Sequence, residues 1–392
     1  MILNNLKLIP DNFTVNIETD GSFISNITEN KITDNHQLQL IFNDAIVFPG
    51  LINSHDHLEF NSFPLLGDRV YNNYIEWGHF IHATYKDKIS KILAIPEALR
   101  VNWGIYKNLL CGVTTVVNHG KYHTIKNPVI KIIQSVQNVH SIKFEKNWRR
   151  KLNNPLKKNI PFIIHAGEGT DEQSKQEIDK LIKWNFLNRK LIAVHGIAMN
   201  ELQSNKFKAL VWCPASNYFL LNKTAPIDKL KNNIKILLGT DSTLTGDWNI
   251  WNHIRMAKGS GLATNMEIFE MVNKNAADVW NLNSGALIKG KAADIVIAKS
   301  DHSINFPENF YSLNPDNILM VIQDGNIVLF DEEILKQLQL HNFSIDDFSK
   351  YIINDKIKFN RGNLPGLIKQ IRHYCDEIKF PVKLNDPDAY IN

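Results

Sequence analysis

The chain has little cysteine, and none of it is spaced for pairing: Cys111, Cys213 and Cys375 stand far apart with no C-x-x-C. That speaks against a disulfide framework and fits a reducing compartment. Long hydrophobic runs are missing too. No stretch approaches the ~18 apolar residues of a membrane span, and MILNNLKLIPDNF lacks the basic start and apolar stretch of a signal peptide. A cytoplasmic protein with no membrane partner is expected. Strong charge of one sign is absent as well: the net charge is +4, mostly scattered lysines. The nearest basic patch, KNWRRKLNNPLKK at 146–158, has no aromatic stacking platform or binding motif beside it, so it reads as a solvated face and no nucleic-acid partner is expected.

What is present is an ordinary globular composition, 44% hydrophobic and 21% charged, over 392 residues. That length suits one large barrel domain with a smaller companion. Residues 1–48 read as short strands and turns, with Asp20-Gly21 as a hairpin signal; 284–335 return to that style around Asp324-Gly325. One small β-sandwich assembled from both segments is expected. Between them, 49–283 alternate apolar strands (AIVFPGLINSH, VTTVVNHG, VHSIKF, PFIIHAG, KLIAVHG, ALVWCPAS, IKILLGTDS) with amphipathic helices. Continuous apolar runs mark strands buried on both faces, as in a parallel sheet. The α/β pattern predicts a (β/α) barrel or an open α/β sheet. Thr170 with Gln173, and Thr264 with Glu267, have the spacing of capping boxes. Residues 336–392 show helical patches, and a helical tail is expected that covers the small domain or builds the contact of a homodimer.

The chemistry sits at strand ends. In VFPGLINSHDHLEF, His55 and His57 are two residues apart, so on a strand both imidazoles face the same way. With 14 histidines in the chain, one H-x-H says little. Three further apolar strands, however, end on His165 (followed by Glu168), His195 and Asp241. Taken singly, the histidines could be polar strand caps, Asp241 a helix N-cap and Glu168 a helix N-terminal acid. In a (β/α) barrel all C-terminal strand ends meet at one mouth. There, three imidazoles and a carboxylate suit one divalent cation, Zn²⁺ first and Fe²⁺ second. Such a cation lowers the pKa of a bound water towards ~7, which supplies a hydroxide nucleophile. Glu168, freed by Gly167, could pass a proton to a leaving nitrogen. This reading leaves open which histidine ligates and which polarises.

VFPGLINSHDHL, HAGE, AVHG, GTDS, CPASN (213–217) and SGALIKGKAADIVI together resemble the amidohydrolase superfamily, in particular its cytosine deaminase, guanine deaminase and triazine hydrolase branch. The resemblance covers about residues 40–330. It implies a (β/α)8 TIM-like barrel with a composite β-sandwich, and one metal held by His55, His57, His165 and Asp241. It implies Glu168 as proton shuttle, His195 as a catalytic histidine, and a second, proton-accepting role for Asp241. The implied reaction is metal-dependent hydrolysis of a C–N bond in a small molecule, first as deamination of an aromatic nitrogen heterocycle. Ring opening of a cyclic amide or imidazolone is the alternative, and an inactive binding scaffold a third reading. Only about 40 residues separate the His119 strand from the His165 strand, so the barrel is expected to be distorted between its second and fifth strands. Glu59, Trp77, His82 and His119 are the expected substrate contacts.

Overall fold

The computed structural model describes residues 1–384 apart from Asn35 and His302. Eight short parallel strands run through its middle. Leu51–Asp56, Val113–Asn118 and Lys131–Ile133 pair in that order. Gln137–Val139, Phe162–Ala166, Leu191–His195, Ala209–Trp212 and Lys235–Leu238 form the second set. The last strand returns to the first: the amides of Thr240 and Asp241 each donate to the carbonyl of His55 at 3.0 Å, and that of His57 to the carbonyl of Asp241 at 2.8 Å. All eight carboxyl ends therefore share one rim, in a TIM-barrel-like α/β arrangement.

The distortion falls where the spacing requires it. The third and fourth strands are three residues each and are joined by three residues instead of a helix. Among the described residues, no ladder links these two strands. VHSIKF, expected as a strand of its own, contributes only Val139 to Gln137–Val139 before the chain turns off at His140.

Strands from both ends of the chain make a second, 11-stranded sheet, joined where Ala45–Pro49 runs antiparallel to Ile295–Lys299. Successive side chains point to opposite faces of a strand. Ile46, Phe48, Val296 and Ala298 accordingly enter the barrel's core, while Val47, Ile295 and Ile297 join a separate apolar cluster with Leu3, Val15 and Phe330. The additional β-domain expected from both terminal segments is present, and hydrogen bonding runs continuously through its strands. Asp324 and Gly325, both at positive φ, turn the expected hairpin.

Two local expectations need correction. The helix Glu172–Trp184 is capped by Asp171, whose side chain accepts from the Ser174 amide at 2.9 Å; Thr170 lies one residue outside. The Thr264–Glu267 capping box forms as expected. The tail is not purely helical. After the helix Glu332–Leu340, strands Phe348–Ile353 and Lys356–Arg361 form a hairpin that extends the large sheet, and only then does the helix Leu364–Tyr374 follow.

Three helices matter for the site. α1 (Tyr74–Thr84) begins at Asn73, whose side chain accepts from the amides of Ile75 and Glu76. α2 (Lys86–Leu93) follows at once, and α3 (Glu97–Leu110) packs beneath the turn after the first barrel strand. Gly104 of α3 makes that approach possible, since a Cβ there would stand 2.3 Å from the carbonyl oxygen of Leu58.

Candidate metal centre and active site

The strand-end residues converge. His55 and His57 close the first strand, and their Nε2 atoms lie 3.4 and 3.5 Å from Oδ1 of Asp241, just past the eighth. Ligating atoms of His55, His57 and Asp241 lie within 4.8 Å of one another, as do those of His55, His165 and His195. All five side chains are buried.

A divalent cation fits this set. Two donors each about 2.1 Å from a tetrahedral centre lie about 3.4 Å apart, which is the spacing seen between the His55 and His57 imidazoles and the Asp241 carboxylate. The Nε2 atoms of His55, His165 and His195 are buried without a hydrogen-bond partner, and an unmet buried acceptor costs about 1–3 kcal/mol. Burial holds His55 at about 4 and pushes His165 well below the usual imidazole range, so both stay neutral and able to ligate. For Asp241, burial would raise the carboxyl, but the close approach of His55 and the neighbouring imidazoles hold it well below the usual carboxylate range. Its Oδ2 is occupied by the hydroxyls of Ser216 at 2.8 Å and Thr245 at 2.9 Å, which leaves Oδ1 for the histidine side.

The backbone adds to the fixation. His195 and Asp241 sit at φ of 71° and 62°, in a region that costs a residue with a Cβ free energy. Nδ1 of His195 lies 2.9 Å from Oδ1 of Asn217, whose own amide nitrogen reaches Thr224 Oγ1 at 3.2 Å. That orientation makes Asn217 Oδ1 the acceptor, puts the ring proton on Nδ1 and leaves Nε2 of His195 as a free lone pair. Asn217 thus sets a tautomer.

Glu168 follows His165 through Gly167, which takes φ +65°. Its carboxylate oxygens lie 3.4 Å from His165 Nδ1 and 3.6 Å from His195 Nε2. Burial first, then the charges of Asp241 and Glu177, raise this carboxyl well above its ordinary value. A group so placed holds a proton at the metal cluster.

A cavity of about 450 Å³ opens beside the cluster, and Trp77 and His82 line it. Glu59 and His119 do not. The carboxylate of Glu59 turns away and lies 3.9 Å from His123 Nε2. His119 is buried against the rings of His55, His57 and His165, with both ring nitrogens unpartnered. His140 and Phe144, not singled out from the sequence, also line the cavity. The His after the apolar Val139 was the available signal for His140, hidden by the shortness of its strand.

Residues 146–328 match the model of the amidohydrolase family. A 5'-deoxyadenosine deaminase of Methanococcus aeolicus is 28% identical over 73% of this chain and 82% of its own length. A 5-methylthioadenosine/S-adenosylhomocysteine deaminase of Pyrococcus furiosus is 23% identical over 86% and 96%. In structure, the chain is similar to a zinc-bound adenosine deaminase of Xanthomonas campestris (TM-score 0.72, 14% identity, 96% of this chain and 98% of that one). It is also similar to guanine deaminase of C. acetobutylicum (TM-score 0.63, 17% identity, 83% and 99%). Residues 146–328 thus carry an amidohydrolase family domain, and with deaminases as relatives the chain is consistent with the superfamily's deaminase branch and with a metal-dependent hydrolase of C–N bonds.

Proposed function

We infer that the chain removes ammonia from an aminated aromatic heterocycle, using His55, His57, His165 and Asp241 to hold a divalent metal, Zn²⁺ first. One observation carries this reading: a buried, proton-holding carboxyl, Glu168, stands between the cation-binding cluster and an apolar cavity wide enough for a ring. A metal held there supplies an activated water by lowering its pKa towards ~7. The chain's own groups do the rest. The free Nε2 of His195 accepts a proton as water adds to the ring carbon, and Oδ1 of Asp241 is the second acceptor within reach. Glu168 delivers its proton to the exocyclic nitrogen, turning a poor leaving group into neutral ammonia. The cavity walls exclude bulk water, which strengthens each of these interactions.

The test is ammonia release by zinc-loaded protein over aminated purines, pyrimidines, pterins and triazines. Glu168→Gln should retain zinc and lose at least about 100-fold in kcat, the low end for general acid–base catalysis. A ring-opened product without ammonia would replace deamination by the ring-opening alternative. Undiminished turnover by Glu168→Gln would remove the shuttle.

A further inference from the structure

We propose that the cavity accepts an uncharged heterocycle carrying an apolar substituent, and turns away the same ring when its substituent bears a phosphate, a carboxylate or a zwitterionic amino acid. The proposal rests on the deaminase reading for the ring's orientation, but its evidence lies in the far wall of the cavity.

Of the polar groups lining the cavity, His57, His165, Glu168 and Asp241 belong to the proposed reacting centre, and Tyr74, His140 and Ser242 line it as well. Its apolar lining is built by Phe63, Trp77, Ile81, Ile89, Phe144 and Leu244. Trp77 has no polar atom to spare, because its indole N–H donates to the carbonyl of Leu66 at 2.6 Å. The bond holds the ring and leaves apolar surface for a ligand. The hydroxyl of Thr245 is likewise occupied, by Asp241. Among the described residues, no lysine or arginine lines the cavity, and its only carboxylates are Glu168 and Asp241. The polar groups at the outer end are the imidazoles of His79 and His82, on the exposed side of α1.

An anionic substituent entering this space would give up water and find no cation. Burying an unpaired charge is among the costliest changes a site can impose. An apolar substituent meets the reverse situation. The cavity falls in the size range of sites that enclose a whole small ligand, and one added methylene in such a pocket is worth about 10–200-fold in discrimination. A bare ring would leave the α1–α2 end filled with water against aromatic and aliphatic walls.

The experiment separates this from the chemistry. Zinc-loaded Glu168→Gln protein is titrated by calorimetry with adenine, 9-butyladenine and 9-(3-carboxypropyl)adenine, which differ only in the substituent. Wild-type protein is assayed for ammonia with the same three compounds. The butyl compound is expected to bind at least tenfold more tightly than either of the others. Leu93→Arg, at an exposed position on the cavity's outer edge, should shrink the gap between the butyl and carboxypropyl compounds by about tenfold while zinc content stays the same. Equal affinities, tighter binding of the carboxylate, or no binding of the butyl compound at millimolar concentration would overturn the proposal. If none of the three yields ammonia, adenine deamination is what fails, and the ratio of affinities still decides the character of the wall.

Discussion

Asp56, between the two histidines proposed as ligands in H-D-H, faces the other way, and removing its partner tests how the proposed metal site is held. Asp56 and Lys107 of α3 are almost completely buried, with Nζ 2.8 Å from Oδ2. Asn53, Asn108 and Thr240 also donate to Oδ2, at 3.1, 2.8 and 3.2 Å, and Asn61 to Oδ1 at 2.7 Å. The carboxylate thus ties the first strand, the helix beneath it and Thr240, beside the ligand Asp241, into one network. Lys107→Met keeps most of the stem and removes the charge. Stranding one partner of a buried ion pair costs about 3–5 kcal/mol. Four remaining donors place the loss near the lower end, about 3 kcal/mol. Unfolding entropy is about 2.1 cal/mol/K per residue, or about 0.8 kcal/mol/K over the 392 residues, so the melting temperature should fall by about 4 °C.

The assay is calorimetric melting of the apo and zinc-loaded forms, with Asp56→Asn and the double variant completing a cycle. Loss of both charges leaves no stranded ion, so the double variant should recover a large part of the loss, with a coupling of about 0.5–3 kcal/mol. Because a buried pair offers little net stability over a neutral replacement, its service is orientation. Zinc should therefore leave both single variants faster than the wild type under chelator challenge. A Lys107→Met melting point within 1 °C of wild type, or strictly additive single variants, would refute the network.

Three shorter tests probe other parts of the molecule. His57→Ala removes a donor from the cluster and should lose most of its zinc on dialysis, read by elemental analysis; full occupancy would contradict its placement. Glu177, whose carboxyl burial pushes up to about 7, contributes stability that is fully present below about pH 4.5 and is lost as pH rises through about 7. Glu177→Gln should therefore melt above the wild type at pH 8 by more than at pH 5, and a difference independent of pH would refute the assignment. Gly104→Ala forces a methyl against the Leu58 carbonyl and should destabilise by about 1–3 kcal/mol in denaturant unfolding, the usual cost of overpacking.

The convergence of the candidate ligands was legible in the sequence because these residues end continuous apolar runs. A strand buried on both faces has no other place for an imidazole or a carboxylate than its rim, so His55, His57, His165, His195 and Asp241 announced themselves. The short third and fourth strands did not: Lys131–Ile133 and Gln137–Val139 are too brief to show a period and carry polar residues besides. The tail hairpin was hidden for a related reason. FSKYII and KIKFNR mix charged and apolar residues near the sheet's edge, and their turn, Asn354-Asp355 with both residues at positive φ, carries a weaker signal than Asp-Gly. Glu59 looked like a pocket residue only because it follows H-x-H. A 3-10 turn at Leu58–Phe60 redirects it towards His123, and no spacing rule anticipates that.

These differences divide the molecule physically. The seam between the first and eighth strands is hydrogen-bonded, charge-paired and closely packed from below by α3, and it carries three of the four proposed metal donors. Across the rim, no helix follows the abbreviated third strand, and the fourth is followed only by the short helix Trp148–Leu152. The space is taken by His140 and Phe144, which follow the fourth strand, and by α1 folding over from the first loop; Phe144 and Tyr74 meet edge to face at 5.3 Å between ring centres. Catalysis needs donors fixed to within a fraction of an ångström, which regular strands provide. Selection of a substituent needs shaped apolar surface, which loops and short helices can vary without moving the strands. On the proposed reading, the irregular side of the barrel forms part of the wall that would meet the substituent, attached to a seam that holds the proposed metal donors in place.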